Sequence, residues 1–296
     1  MRTYSAAHLD AVQINLPKTR IIGHNGLYLV CDLIEVRYIM EKISSTQDKI
    51  EIARIIPPEQ QEVANFLLEK IFSKIPKDQF FLVGGTAVAL KFKHRQSIDF
   101  DFFCFPKQKI EPDGSVSNNY ENQLMGMIDH LFRSENIYQR RDLSIDYGHL
   151  QYLIKNVGVT FLAFQNLMAL TENDCFHIPQ FPNEIEICPL KFQTVSIKDI
   201  AGLKAFARIN RSKMKDVVDI AEIMHHGITL AEILEIAKKQ FGYEISKKEV
   251  VEALLNLQDI DNNTIDEEIT YTTDRDTTYY TNFLKKECLN LLNENT

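Results

Sequence analysis

The sequence predicts an α+β chain, a strand-rich core followed by a helical C-terminal region, and three observations lead there. A short, wholly apolar run of β-formers, Phe80 to Val83, is followed by alternating apolar and acidic residues from Ile98 to Phe102. Both are strand signals. From Ser196 onward the pattern turns helical: Ser196, Thr229 and Ser246 stand three residues ahead of Asp199, Glu232 and Glu249, the spacing of an N-capped helix start. Finally, 296 residues with 45% hydrophobic and 25% charged side chains make about two domain lengths of ordinary globular composition. Disordered, collagen-like and coiled-coil classes are excluded.

In chain order, residues 1–57 include Pro17, Gly23 and a helix-compatible run from Cys31 to Ile43, and no motif gives them a role. The Pro57-Pro58 pair disfavours helix before it and suits the first turn of one after it, so a helix is expected over Pro58 to Lys74. Its apolar residues Val63, Phe66, Leu67 and Ile71 recur at helical spacing. The Phe80 to Val83 strand ends in a Gly84-Gly85-Thr86 turn, and Ala87 to Lys91 favour a short helix. Period-two spacing on the Ile98 to Phe103 strand places Asp99 and Asp101 on one face. After a polar loop (Pro112 to Asn119) come a helix at Glu121 to Arg133 and a hairpin of Leu150 to Ile154 with Val157 to Phe164, turning at Lys155-Asn156. A further strand is expected at Glu184 to Pro189. The division is therefore 1–57, a core at 58–195, and a helical C-terminal domain at 196–296.

With 33 basic and 41 acidic residues the net charge is −8, which disfavours a generally basic nucleic-acid binder. Five scattered cysteines make neither a disulfide framework nor a zinc site. No apolar run reaches the roughly 18 residues that span a bilayer, and the N-terminus lacks the order of a secretion signal. A soluble cytoplasmic protein without membrane contact is expected. His225 and His226, followed by Gly227, suit a helix C-terminal cap. Tyr271, Tyr279 and Tyr280 suit helix contacts.

The chemistry-bearing arrangement is strand, Gly-Gly-Thr turn, helix, then two acids at i, i+2 on the next strand. Glycines let backbone N–H groups approach phosphate oxygens, and the helix N-terminus adds the positive end of its dipole. Asp99 and Asp101 are candidate ligands for Mg²⁺, a hard cation that prefers carboxylate and phosphate oxygens. Two carboxylates side by side on a strand repel each other without a positive charge between them.

The run from Phe81 to Phe103, with Gly84-Gly85-Thr86, His94-Arg95-Gln96-Ser97 and Asp99-x-Asp101, resembles the first motif of the AbiEii/AbiGii nucleotidyltransferase toxins. These are a branch of the polymerase-β-like nucleotidyltransferase superfamily. Residues 196–219, with Lys204 on one helix and Lys215-Asp216-x-x-Asp219 opening the next, resemble that branch's downstream helical motif. The resemblance covers roughly residues 58–228. It implies a mixed sheet flanked by helices and an enzyme that moves NMP from an NTP to an acceptor hydroxyl with Mg²⁺ (or Mn²⁺). Asp99 and Asp101 would hold the metal. Gly84, Gly85, Thr86, Arg95, Lys204, Arg208, Lys215 and Asp219 would bind nucleotide, with Lys204 and Asp216 counted as catalytic. The acceptor would be a tRNA 3′ end or a protein, and the partner a cognate antitoxin. Lys204, Arg208, Arg211 and Lys215 form one positive stripe if the first helix continues through them.

One departure stands beside the resemblance. Many superfamily members carry a third metal-binding carboxylate on a later strand, and Gly158 to Phe164 has none. Two alternatives stay open: a catalytically decayed nucleotide-binding regulatory protein, and a small-molecule (antibiotic-type) nucleotidyltransferase. The charge is uneven too. Residues 229–296 hold 14 acidic and 7 basic residues, whereas Lys191 to Asp216 hold seven basic and two acidic.

Overall fold

A computed structural model describes residues 50–76, 79–104, 120–138, 149–163, 185–241, 246–256 and 269–293. The Cys31 to Ile43 run and the Pro112 to Asn119 loop lie outside them. Residues 50–55 are helical. Helix α1 (Pro58–Phe66) has proline in its first turn and continues into a π-helical turn, Leu67–Ile71. Val63, Leu67 and Ile71 are buried as their spacing predicts.

The described strands form one six-stranded mixed sheet in the order β3-β4-β2-β1-β6-β5. They are β1 (Phe80–Val83), β2 (Phe100–Cys104), β3 (His149–Ile154), β4 (Val157–Ala163), β5 (Ile185–Ile187) and β6 (Gln193–Val195). β1 runs antiparallel to β2 and parallel to β6, β2 runs parallel to β4, and β3-β4 is the predicted hairpin. Its turn residues Lys155 and Asn156 both adopt positive φ, the geometry that two-residue hairpin turns require. On one sheet face Phe100, Phe102 and Phe161 are buried in an aromatic cluster with Phe72, Phe80 and Phe192. Helix α3 (Tyr120–Ser134) joins it by stacking Phe132 on Tyr152 at 3.8 Å. The opposite face carries the half-buried Asp101, Phe103, Gly158, Thr160 and Leu162.

Two local expectations need correction. Helix α2 (Gly84–Phe92) starts at Gly84 itself, so Gly84, Gly85 and Thr86 form its first turn and are not a separate turn ahead of it. Strand β2 starts at Phe100, leaving Asp99 in the preceding loop and Ile98 about half exposed (48%). Side chains take the backbone groups that a neighbouring strand would otherwise pair: Gln60 Nε2 (3.1 Å) and Thr86 Oγ1 both donate to the Asp99 carbonyl. The Ser97 N–H donates to the Ile55 carbonyl at 3.0 Å.

The C-terminal half is helical as expected: α4 (Ile197–Asn210), α5 (Met214–His225), α6 (Leu230–Phe241), α7 (Lys247–Leu255) and α8 (Thr277–Asn293). Ser196 Oγ accepts from the Asp199 N–H at 3.1 Å. Thr229 and Glu232 bond reciprocally, as do Ser246 and Glu249. Gly227, at φ 95°, follows the end of α5, and His225 stacks on Phe283 at 4.1 Å. No described helix is long and apolar enough to cross a membrane.

Close approach of α4 to α6 depends on Gly202. A Cβ there would overlap Gln240 Oε1 and lie 2.9 Å from Ile236 Cγ2. Gln240 is not free to move away, because its Nε2 donates to the Asp199 carbonyl at 3.0 Å. Gly202→Ala is expected to destabilise the chain by about 1–3 kcal/mol through overpacking, read as a lower urea midpoint with unchanged slope.

Candidate active site

The site forms where β1 ends and α2 begins. Val83 pairs with Asp101 across the β1-β2 ladder, which places the first turn of α2 beside the Asp101 carboxylate. Gly84 sits at φ +69°, and a Cβ there would stand 2.6 Å from Asp101 Oδ2. Glycine is required on both counts. A Cβ on Gly85 would overlap the Arg95 guanidinium, so both residues are places where functional side chains approach the backbone. Thr86 is buried and turns its hydroxyl to Ser97 Oγ (2.7 Å) and the Asp99 carbonyl. It fastens the loop ahead of β2. Asp99 accepts from the Gly158 N–H through Oδ1 at 3.1 Å.

Behind the two acids lies a buried charge network. Asp219, fully buried on α5, accepts from Arg95 Nε (2.7 Å) and Nη2 (2.8 Å) and from His94 Nε2 (2.9 Å), and pairs with Lys204 Nζ (2.7 Å). Lys204 also donates to Asp216 Oδ1 at 2.8 Å. Arg211 closes the far side of Asp216 with Nε (2.8 Å) and Nη2 (3.1 Å). Burial alone would push the Asp219 carboxyl up. Arg95 and Lys204, with the His94 and Arg95 hydrogen bonds, outweigh it and hold the group well below the usual carboxylate range. Asp216 is likewise held down by Lys204 and Arg211 against burial. Burial would lower the Lys204 ammonium, but Asp216 and Asp219 raise it above its ordinary value, so it stays charged.

Asp101 responds in the opposite sense. Burial and the neighbouring Asp99 charge push its carboxyl up, offset in part by Lys204, Arg211 and a Thr160 hydrogen bond. A carboxyl pushed up by burial and a neighbouring acid is the kind of group that a divalent cation favours in its charged form. Mg²⁺ asks for one or two carboxylates, with substrate phosphates and water completing its shell. Among the described residues no group of three or more His, Cys, Asp or Glu is arranged to hold a metal.

Of the residues singled out in the sequence, Gly84, Gly85, Arg95, Asp99, Asp101, Lys204, Asp216 and Asp219 converge here. Arg208 lies elsewhere: it is buried and donates to the carbonyls of Arg211 (3.2 Å) and Asn256 (2.8 Å). Lys215 is half-buried in the first turn of α5. The positive stripe is not continuous, because α4 ends at Asn210 and Arg211 adopts extended backbone before α5. Beyond that break Arg211 reaches Asp216. Gly158, Thr160 and His149, whose imidazole is pushed down by burial against the opposing Asp101 charge, carry no sequence signal. Strand register brings them to the Asp101 side of the sheet.

The family model described as nucleotidyl transferase AbiEii toxin, type IV toxin–antitoxin system, matches residues 66–286. An uncharacterized protein of Aquifex aeolicus (strain VF5) is 32% identical over 207 residues, which span 70% of this chain and 85% of the relative. Among solved structures, one described as a nucleotidyltransferase from H. pylori aligns with TM-score 0.43 at 15% identity, covering 79% of this chain and 94% of the other. An antigenic nucleotidyltransferase-like protein from Paracoccidioides brasiliensis aligns with TM-score 0.38 at 14% identity, covering 72% and 93%.

The charge network sets an acid limit on stability. A carboxyl depressed in the folded state contributes stability above its unfolded pKa, about 3.9 for Asp, and loses it as pH falls toward the folded value. Denaturant midpoints are therefore expected to fall steeply below about pH 4, and Asp219→Asn is expected to flatten that dependence. At neutral pH the same variant strands Arg95 and Lys204 without a full counter-charge, at a cost of about 3–5 kcal/mol. A neutral-pH midpoint equal to that of the unmodified chain would contradict this account.

Proposed function

The chain belongs to the AbiEii family of nucleotidyltransferase toxins, and from that premise we propose that it moves NMP from an NTP to an acceptor hydroxyl with Mg²⁺ (or Mn²⁺). In this reading the acceptor is a tRNA 3′ end or a protein, and a cognate antitoxin holds the toxin in check. The observation that carries the reading is the juxtaposition of Asp99, Asp101 and the N-terminal turn of α2 within the field of Lys204 and Arg211.

Each residue has a physical task. The N–H groups of the first turn of α2 point away from the helix and suit phosphate oxygens, and Gly84 and Gly85 keep that approach clear. Asp99 and Asp101 would hold the divalent ion, which when bound neutralises phosphate charge and aligns attacking and leaving oxygens. Lys204 supplies fixed positive charge from a buried position, where its interaction with phosphate is least screened. Asp216 is a weak base while Lys204 and Arg211 hold its carboxyl down. Its task here is to orient those two cations. Arg95 and Asp219 brace the glycine turn from behind, and Lys215 stands at the start of α5 as a further phosphate contact.

The segment from Lys191 to Asp216 is basic although the whole chain is acidic, which leaves a polyanionic acceptor compatible with the site. A second reading, a nucleotide-binding protein without catalysis, draws on one observation. The β2-β4 register places Thr160, a neutral hydroxyl, directly across from Asp101.

Incubation with each α-labelled NTP, Mg²⁺ and either total tRNA or cell lysate is expected to label a macromolecule. Asp99→Asn or Asp101→Asn should reduce transfer about a thousandfold, the loss of several kcal/mol of transition-state stabilisation. Full transfer by either variant would overturn the assignment. Calorimetric NTP binding with no labelled product would support the second reading.

A further inference from the structure

Ahead of α8, residues 269–276 run antiparallel to the loop that follows α2. Tyr271 bridges Arg95. The Gln96 N–H donates to the Thr270 carbonyl at 2.8 Å, and the Thr272 N–H donates to the His94 carbonyl at 3.1 Å. Thr272 Oγ1 adds a bond to the Lys93 carbonyl. These bonds go to Lys93, His94 and Gln96, the backbone on either side of Arg95, and the side chains of His94 and Arg95 grip Asp219.

The other end of the segment is fastened to Glu222. This carboxylate is fully buried on α5, one turn beyond Asp219. It accepts from Arg275 Nη1 (2.8 Å) and Nη2 (3.0 Å) and from Tyr280 Oη (2.9 Å). Burial and the Glu222 charge push the Tyr280 phenol far up, so it remains a donor. Tyr271 stacks on Tyr280 with ring centres 6.0 Å apart, and its hydroxyl meets Thr277 Oγ1 at 2.5 Å. Two of the three buried carboxylates on helix α5 thus have separate tasks toward this loop. Asp219 holds the side chains of the His94-Arg95 loop, and Glu222 holds the chain segment that covers that loop's backbone.

We infer that residues 269–276, locked through Glu222, Arg275 and Tyr280, form a positioning strap that sets the Arg95–Asp219–Lys204 network for NTP binding. The inference rests on the assignment of that network to the nucleotide site. A tail that docks only for stability needs apolar burial. This one also directs its backbone bonds to residues 94 and 96. Arg275 supplies the guanidinium among the partners of the buried Glu222, beside Tyr280 and His226, so removing the strap would leave that carboxylate short of positive charge, which costs several kcal/mol.

The test uses the full chain. Thr272→Pro removes both Thr272 donors to Lys93 and His94 and leaves Glu222 untouched. Thr272→Ala keeps the N–H and is the conservative control. Tyr280→Phe removes one donor from Glu222, and it decides the matter if Thr272→Pro does not fold. In Thr272→Pro the amide of Gln96 is expected to exchange with deuterium about tenfold faster or more. The KM for NTP in label transfer should rise about five- to tenfold with kcat changed by less than about threefold. Thr272→Ala should recover most of both. A folded Thr272→Pro variant with unchanged Gln96 exchange and unchanged KM overturns the strap. Asp101→Asn run in parallel separates the two claims. Full transfer by that variant would fail the site assignment, and Gln96 exchange would then judge the strap alone.

Discussion

Asp219 is the constraint on which the rest of the site depends. A carboxylate with no solvent exposure is tolerable only when its lone pairs are filled and its charge is balanced. Here Arg95 and His94 reach it from the loop after α2, and Lys204 reaches it from α4. Those three partners come from two segments more than a hundred residues apart. The carboxylate therefore does in one place what a hydrophobic contact does diffusely: it locks the sheet-side loop to the helical half. Because Arg95 also lies against Gly85, the same lock fixes the first turn of α2.

The balance of charge around the acids follows from this arrangement. Asp101 faces cations that are already engaged: Lys204 between two aspartates, and Arg211 on Asp216. The cations are thereby held in place, with their field directed toward Asp101 and not spent in a direct pair with it. Preorganised charge of this sort costs little reorganisation when a substrate's charge arrives. The π-turn after α1 and the aromatic cluster on the opposite sheet face serve a plainer purpose. They bury one side of β2 so completely that its alternate residues must present Asp101 on the other.

Helix α5 gathers these threads. Asp216, Asp219 and Glu222 recur at i, i+3 and i+6 along it, and all three are buried. Such a stripe of acids would be intolerable on an isolated helix. Lys204 and Arg211 serve the first, Arg95, His94 and Lys204 the second, and Arg275, Tyr280 and His226 the third. One helix face thus connects the His94-Arg95 loop to the C-terminal segment.

The sequence by itself determined the alternation of strand and helix, the capped helix starts at Ser196, Thr229 and Ser246, and the pairing of Gly84-Gly85 with Asp99 and Asp101. These are local properties, set by spacing, side-chain shape and backbone freedom within a few residues. It also misled locally, placing Asp99 on the strand, and its condition for one positive stripe, a helix continuing past Asn210, is not met. At Asp99 distant groups decide, since Gln60 and Thr86 claim its carbonyl, and at Arg211 the extended backbone after α4 accompanies its ion pair with Asp216. Only the tertiary structure decided that Lys204 is buried between two aspartates, that Arg208 serves the packing of Asn256, and that Glu222, silent in any motif, anchors the segment behind Arg95. Burial and charge pairing are properties of neighbours in space, and the distances in sequence between Arg95, Lys204, Asp219 and Tyr271 leave no periodicity from which to infer them.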